Sequence, residues 1–265
     1  MHLMRKTEHP SVLAPDNALS SSPEDILALK VGASTIGENL QRAIESGVLL
    51  QNQDGSLELR QAPQSGLWLS RGHMPACAFL NRFMFQATYA QAAVPKGCEA
   101  CYKVKVLPRT LRELVALYEL AEQVECPSKC GIDLYNHHSQ NVYAGYFYLK
   151  SLEEARRTFR TIRTLADDSP KLGCDVPIVI KRGCSNYEAA RGPSDKYTFR
   201  PELQDIEAYL KGRFRLKKTE ALTVAGTIYG TWVPFAYQIG DNTYLDFTNG
   251  KPLYPKPLTY DPDGG

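Results

Sequence analysis

The residues of this chain best suited to chemistry are cysteines at ligand spacing. Two residues separate Cys98 from Cys101, three separate Cys126 from Cys130, and 24 separate the pairs. A close pair lets one turn offer two thiolates to an ion, and a long spacer lets two such turns come from different elements. Gly97 beside the first pair suits a tight turn, as do Pro127 and Gly131 around the second. Lys96, Lys103 and Lys129 add positive charge, which favours thiolates. Four cysteines without histidine suit zinc, and also an iron–sulfur cluster. The spacing lacks the compact three-cysteine run of bacterial ferredoxins, which tilts the expectation to zinc on Cys98, Cys101, Cys126 and Cys130. Against it stands the plain fact that free cysteine is often a core residue.

Cys184 follows an apolar run and Lys181-Arg182, where an activated thiol or an additional ligand could sit. A small residue in a turn fits equally well. Cys77 and Cys174 have no assigned role. The adjacent His137 and His138 fall in a polar hairpin turn, away from the cysteines. No Gly-rich phosphate loop, Gly-x-Ser-x-Gly elbow or His-Glu-x-x-His run occurs, so no catalytic residue is assigned and enzyme status stays open.

Two basic features bear on partners. Arg156, Arg160 and Arg163, with Arg157 alongside, form a stripe on one helix, with acids only near its ends. Lys211, Arg213, Arg215 and Lys217 alternate with Phe214 and Leu216, a one-sided basic row if the segment is extended. Charged faces are ordinarily just solvated surface. Two of them point toward phosphate contacts.

The elements that must position these residues follow from periodicity. Tyr102 to Val106 reads as a strand, and Leu111, Leu114, Val115, Tyr118 and Ala121 give the next segment one helical apolar face. Ile132 to Tyr135 and Val142 to Leu149 read as a strand pair. Ser151 and Glu154 cap a second helix, carrying Leu152, Ala155, Phe159, Ile162 and Ala166 on one face. Val176 to Ile180 reads as a fourth strand. The expected fold is therefore α+β, with a ferredoxin-like βαββαβ core over about residues 101–183 and the cysteine site at one end. Gly145-Tyr146-Phe147-Tyr148 resembles in part the aromatic strand of RNA-recognition motifs, which implies base stacking. Ordinary packing of sheet-face aromatics competes with that.

The expected organisation is a mobile tail at 1–24 and a helix–hairpin region at 25–95, which would suit a winged-helix module or any α+β appendage. The core follows at 96–200, then a helix and a β-rich extension at 201–265. The extension's strands are expected at Thr223–Ile228, Trp232–Gln238 and Thr243–Phe247. The chain has 265 residues, a net charge of +2 and 43% hydrophobic residues, ordinary for a globular protein. It has no apolar run long enough to span a membrane and no signal-like N-terminus, so a cytoplasmic location without membrane partners is expected. Seven cysteines, an odd number, argue against a disulfide framework. The leading expectation is a zinc-stabilised nucleic-acid-binding protein, with protein partners in a ribonucleoprotein complex. The alternatives are an iron–sulfur enzyme or electron carrier with Cys184 near its centre, and a zinc-stapled assembly protein.

Overall fold

The structure, a computed structural model, describes residues 22–60, 67–134, 141–216 and 222–254. Ser22 and Thr35 open the first two helices. Each side chain accepts a bond from the third residue on, and Asp25 and Glu38 reach back to close capping boxes. These helices are α1 (Pro23–Ala28) and α2 (Ile36–Glu45), with the short pair β1 (Lys30–Val31) and β2 (Ser34–Thr35) between them. The hairpin β3 (Leu49–Gln51) and β4 (Leu57–Leu59) follows, antiparallel as expected.

A five-stranded sheet forms the centre of the chain. It contains β5 (Trp68–Arg71), β6 (Tyr102–Val106), β7 (Ser128–Ile132), β8 (Tyr143–Leu149) and β9 (Ile178–Arg182). The strand order is β5-β7-β8-β6-β9, and every neighbouring pair is antiparallel. Between these strands run α3 (Leu111–Leu120), after β6, and α4 (Leu152–Asp167), after β8. Thr110 and Ser151 cap them. Leu111, Leu114 and Leu117 of α3 are fully buried, with Ala155 and Ile162 of α4, against Val104, Val106 and Phe147 of the sheet. Truncating any one of these leucines to alanine costs about 2–5 kcal/mol. The mixed α+β class expected from the sequence is what the structure has.

Five expected strands differ from the expectation. The strand expected at Ile132–Tyr135 begins earlier, so Cys130 sits inside β7 and not in the turn before it. The fourth strand is shifted two residues onward, to Ile178–Arg182. The expected strands after residue 222 are helical: α7 (Val224–Thr227), a π-turn at Ile228–Trp232, α8 (Val233–Gln238) and a 3-10 turn at Asn242–Phe247. Aromatic and β-branched residues pointed to strands, but tertiary packing overrode that preference. Trp232 is fully buried, donates from Nε1 to the Leu67 carbonyl at 3.2 Å and meets Tyr118 edge-on. Asp241 accepts from the Leu111 amide at 2.6 Å and from the Tyr143 hydroxyl at 3.0 Å.

The segment expected to begin the C-terminal extension packs elsewhere. The remaining elements are α5 (Ser185–Arg191), α6 (Leu203–Arg213) and β10 (Phe214–Arg215). Leu203, Ile206 and Leu210 of α6 join the N-terminal core with Ile36, Leu49 and Phe83, and β10 pairs parallel with β4. No helix among the described residues is long and apolar enough to cross a membrane.

Gly131 ties β5 to the sheet. A Cβ there would stand 2.0 Å from the Leu67 oxygen and 2.9 Å from the Trp68 Cα. Gly131→Ala is expected to cost about 3 kcal/mol by overpacking, read as a lower denaturant midpoint. An unchanged midpoint would show that β5 does not pack there.

Candidate functional site

Side chains alternate across a sheet, and antiparallel register aligns them between strands. Val104, Cys130, Phe147 and Ile180 lie on the helix-covered face. Lys103 and Lys105 of β6, Lys129 of β7, Tyr146 and Tyr148 of β8 and Lys181 of β9 share the other face. Lys103 and Lys181 stand directly opposite one another, a like-charge pair that is unfavourable unless each finds a counter-group. Lys181 pairs with Glu188 and donates to Ser185 Oγ at 3.0 Å. Lys103 donates to Cys184 Sγ at 3.3 Å.

Cys184 is one of four cysteines gathered on this face. Cys77 hydrogen-bonds with Cys184, and Cys98 and Cys101 lie close enough for their charges to be felt there. Cys101 packs against both the Ala144–Tyr146–Tyr148 cluster and the cluster that contains Phe85, Cys98 and Tyr187. Cys98 Sγ and the Tyr187 hydroxyl are 3.4 Å apart. The expected second pair is absent from this group. Cys130 is buried in the core between sheet and helices, its Sγ 3.3 Å from where a Gly145 Cβ would stand, beside Leu117. Cys126 packs against that same core. The physical reason is the longer β7, which turns Cys130 to the helix face while Lys129 faces the other way. Among the described residues, no three His, Cys, Asp or Glu side chains converge on a position for one metal ion.

Each cysteine is held by its own device. Cys77 precedes a π-helical segment, Ala78–Thr88, whose Phe79, Phe83 and Met84 anchor in the N-terminal core. Phe85 of that segment packs against Tyr187 at 4.3 Å between ring centres. Cys98 ends the short turn Lys96–Cys98, and Cys101 immediately precedes β6. Glu207 of α6 holds that turn, accepting from the Lys96 amide at 2.6 Å, the Gly97 amide at 2.8 Å and the buried Tyr89 hydroxyl at 3.2 Å. Gly183 sits at φ +66°, a left-handed conformation that favours glycine, and donates its amide to the Cys101 carbonyl at 2.8 Å. That turn delivers Cys184 beside Cys101.

The electrostatics single out Cys184. Its hydrogen bond from Cys77 and the nearby Lys103 and Lys129 hold its thiol well below the ordinary range, against the effect of burial. The same bond raises Cys77. Burial raises Cys98 and Cys101. Burial alone would lower Lys103, but Cys184 and its neighbours raise it well above the usual value. Burial pushes Cys126 up to about 11 and Cys130 to about 12.

The basic features divide. Arg156, Arg157 and Arg160 are exposed on α4. Arg163 is engaged within the fold, bonding the Val176 and Gly173 carbonyls, both at 2.8 Å, and Asp167. Lys211 and Arg213 belong to α6, while Arg215 lies in β10 and bonds the Gly212 and Phe214 carbonyls, so the helix breaks the alternating row. Lys217, His137 and His138 lie outside the described residues. The sequence reading did not place Cys77; nothing in its spacing marks it, because 20 residues separate it from Cys98. The chain is thus a mixed α+β protein with a cysteine–lysine cluster on one sheet face. It matches no protein-family model, and no curated protein or solved structure is found similar to it.

In metal-free protein Cys184 is expected to react with iodoacetamide below pH ~8.5, the ordinary thiol value, and Lys103→Met to move that reactivity upward. Cys126 and Cys130 stay unreactive under the same conditions. A depressed thiol stabilises the fold above the unfolded value, and that contribution is lost as pH falls through the folded one. Equal labelling of all three by mass spectrometry would refute the assignment. Glu207→Gln places an amide donor against a backbone N–H and is expected to cost about 1–3 kcal/mol, read as a lower melting temperature. No loss would remove Glu207 as the anchor of the Cys98 turn.

Proposed function

We propose that this chain is an iron–sulfur redox protein whose cluster is held by Cys77, Cys98, Cys101 and Cys184. The observation that carries the reading is the gathering of four cysteines from three separate segments on one face of the sheet. In a [4Fe–4S] cluster each cysteine ligates its own iron, so the sulfurs share a space and need not converge on one point. The Tyr187 hydroxyl and the Lys103 ammonium lie at hydrogen-bonding distance from two of the sulfurs, and such bonds tune a cluster's potential. The buried lysines offset the negative charge of four thiolates.

Around this centre we infer a ferredoxin-like core. Its support is the run β6-α3-β7-β8-α4-β9, with the antiparallel order β7-β8-β6-β9. That describes topology and carries no implication about the cluster. Nucleic-acid binding through Arg156, Arg157 and Arg160 is a separate proposal with less behind it, since Arg163 is bonded within the fold.

A second reading has one observation in its favour. Cys77 and Cys184 are hydrogen-bonded and shifted in opposite directions, as in a dithiol with one nucleophilic sulfur. One experiment separates the readings. Protein purified without oxygen is expected to be brown, to contain iron and inorganic sulfide, and to lose visible absorption on reduction. Serine at 77, 98, 101 or 184 removes the colour, whereas Cys126→Ser and Cys130→Ser keep it. A colourless, metal-free protein that reversibly forms a Cys77–Cys184 disulfide supports the dithiol and sinks the cluster. A colourless protein carrying zinc that depends on Cys126 and Cys130 restores the pairing read from spacing.

A further inference from the structure

Three ammonium groups crowd one aromatic ring on the face that carries the cysteines. Lys129 Nζ lies 5.3 Å from the Tyr146 ring centre, Lys105 Nζ 5.5 Å and Lys103 Nζ 5.9 Å. Like charges this close repel unless anions stand among them. Most of the lysines on this face have a counter-group. Lys103 bonds Cys184, Lys181 pairs with Glu188, and Lys105, which burial lowers, has Asp133 acting against that effect. Lys129 differs. Its ammonium lies 4.0 Å over the Trp68 ring and near Tyr146, and among the described residues it makes no hydrogen bond or ion pair. A ring face attracts a cation but accepts no conventional hydrogen bond, so three strong donors are left without acceptors among the described residues.

The surroundings of Lys129 have the make-up of a small-ligand site. Ala144, Tyr146 and Tyr148 form a buried apolar floor on β8, and Trp68, Met74, Cys77 and Cys101 pack around it. The Trp68 and Tyr146 rings, 5.8 Å apart, make one wall. An apolar surface with a few convergent charged groups is how small molecules are held and oriented.

We infer that Lys129 binds the anionic group, a carboxylate or a phosphate, of a small molecule seated against Trp68 and Tyr146 next to the cysteines. Lys103 and Lys105, whose ammonium groups also lie near the Tyr146 ring, add attraction. The chemistry shared by the two anions is oxygen acceptors with full negative charge, which match an ammonium donor. The inference goes beyond the sulfur centre and does not depend on which group the sulfurs hold.

The test is thermal melting of the protein as purified, in inorganic phosphate or in succinate, each against sodium chloride at equal ionic strength. A saturable rise in melting temperature with one anion and not with chloride is expected. Response to phosphate alone assigns a phosphoryl group, and response to succinate alone assigns a carboxylate. Lys129→Met is expected to weaken that binding at least tenfold, and Lys129→Arg to keep most of it. A rise no larger than in chloride overturns the inference, and so does a rise that survives in Lys129→Met. If Lys129→Met fails to fold, the wild-type comparison with chloride still decides. Visible absorption and iron content, read on the same samples, report on the sulfur centre separately. Colourless protein that binds phosphate through Lys129 sinks the cluster and keeps this site.

Discussion

Along β6, β7 and β8 successive side chains point to opposite sides of the sheet, and this alternation governs what the protein can do. One face takes Val104, Cys130 and Phe147 and is sealed by α3 and α4. The other takes Lys103, Lys105, Lys129, Tyr146 and Tyr148. Burying polar groups there without partners is costly, so that face favours counter-charges and hydrogen bonds. The Lys103–Cys184 contact is one answer to that demand. A one-residue slip of β7 would exchange Cys130 for Lys129 and put a charge into the core.

The cover over the basic face comes from distant parts of the chain. Cys77 arrives on the π-helical segment, Cys98 and Cys101 on the turn into β6, and Cys184 on the turn out of β9. The N-terminal core, α6 and the Glu207 carboxylate hold these turns in place. Stability and site are therefore coupled. The helices that pack around Phe83 and Leu203 are remote from any sulfur in sequence, yet they set where two of the three cysteine-bearing segments lie. Burial raises the Glu207 carboxyl even though three donors stabilise its charged form. That strain is tolerated because the alternative is a turn with unsatisfied amides.

Helical periodicity was the most readable feature. The apolar faces of α3 and α4 and the caps at Thr110 and Ser151 stand where the spacing puts them. Strand boundaries were less readable. Ser128 and Lys129 give no apolar signal, so the start of β7 was hidden, and with it the direction of Cys130. The segment after residue 222 misled for a related reason. Its Trp232, Val233 and Phe235 favour strands in isolation, and only packing against Leu67 and Tyr118 makes them helical.

Cys98 and Cys101 as a local pair, and Cys184 as a thiol arriving near them, could be derived from the sequence, because both follow from short-range spacing and strand direction. The identity of their companions could not. Whether Cys126 and Cys130 or Cys77 completes the group depends on which face of β7 a cysteine occupies and on a segment lying wholly outside the sheet. Both are decided by contacts between residues far apart in the chain. The same holds for Lys129, an ordinary charge in the sequence. Only the register of β5, β7 and β8 sets it over Trp68, beside Tyr146 and within reach of the cysteines.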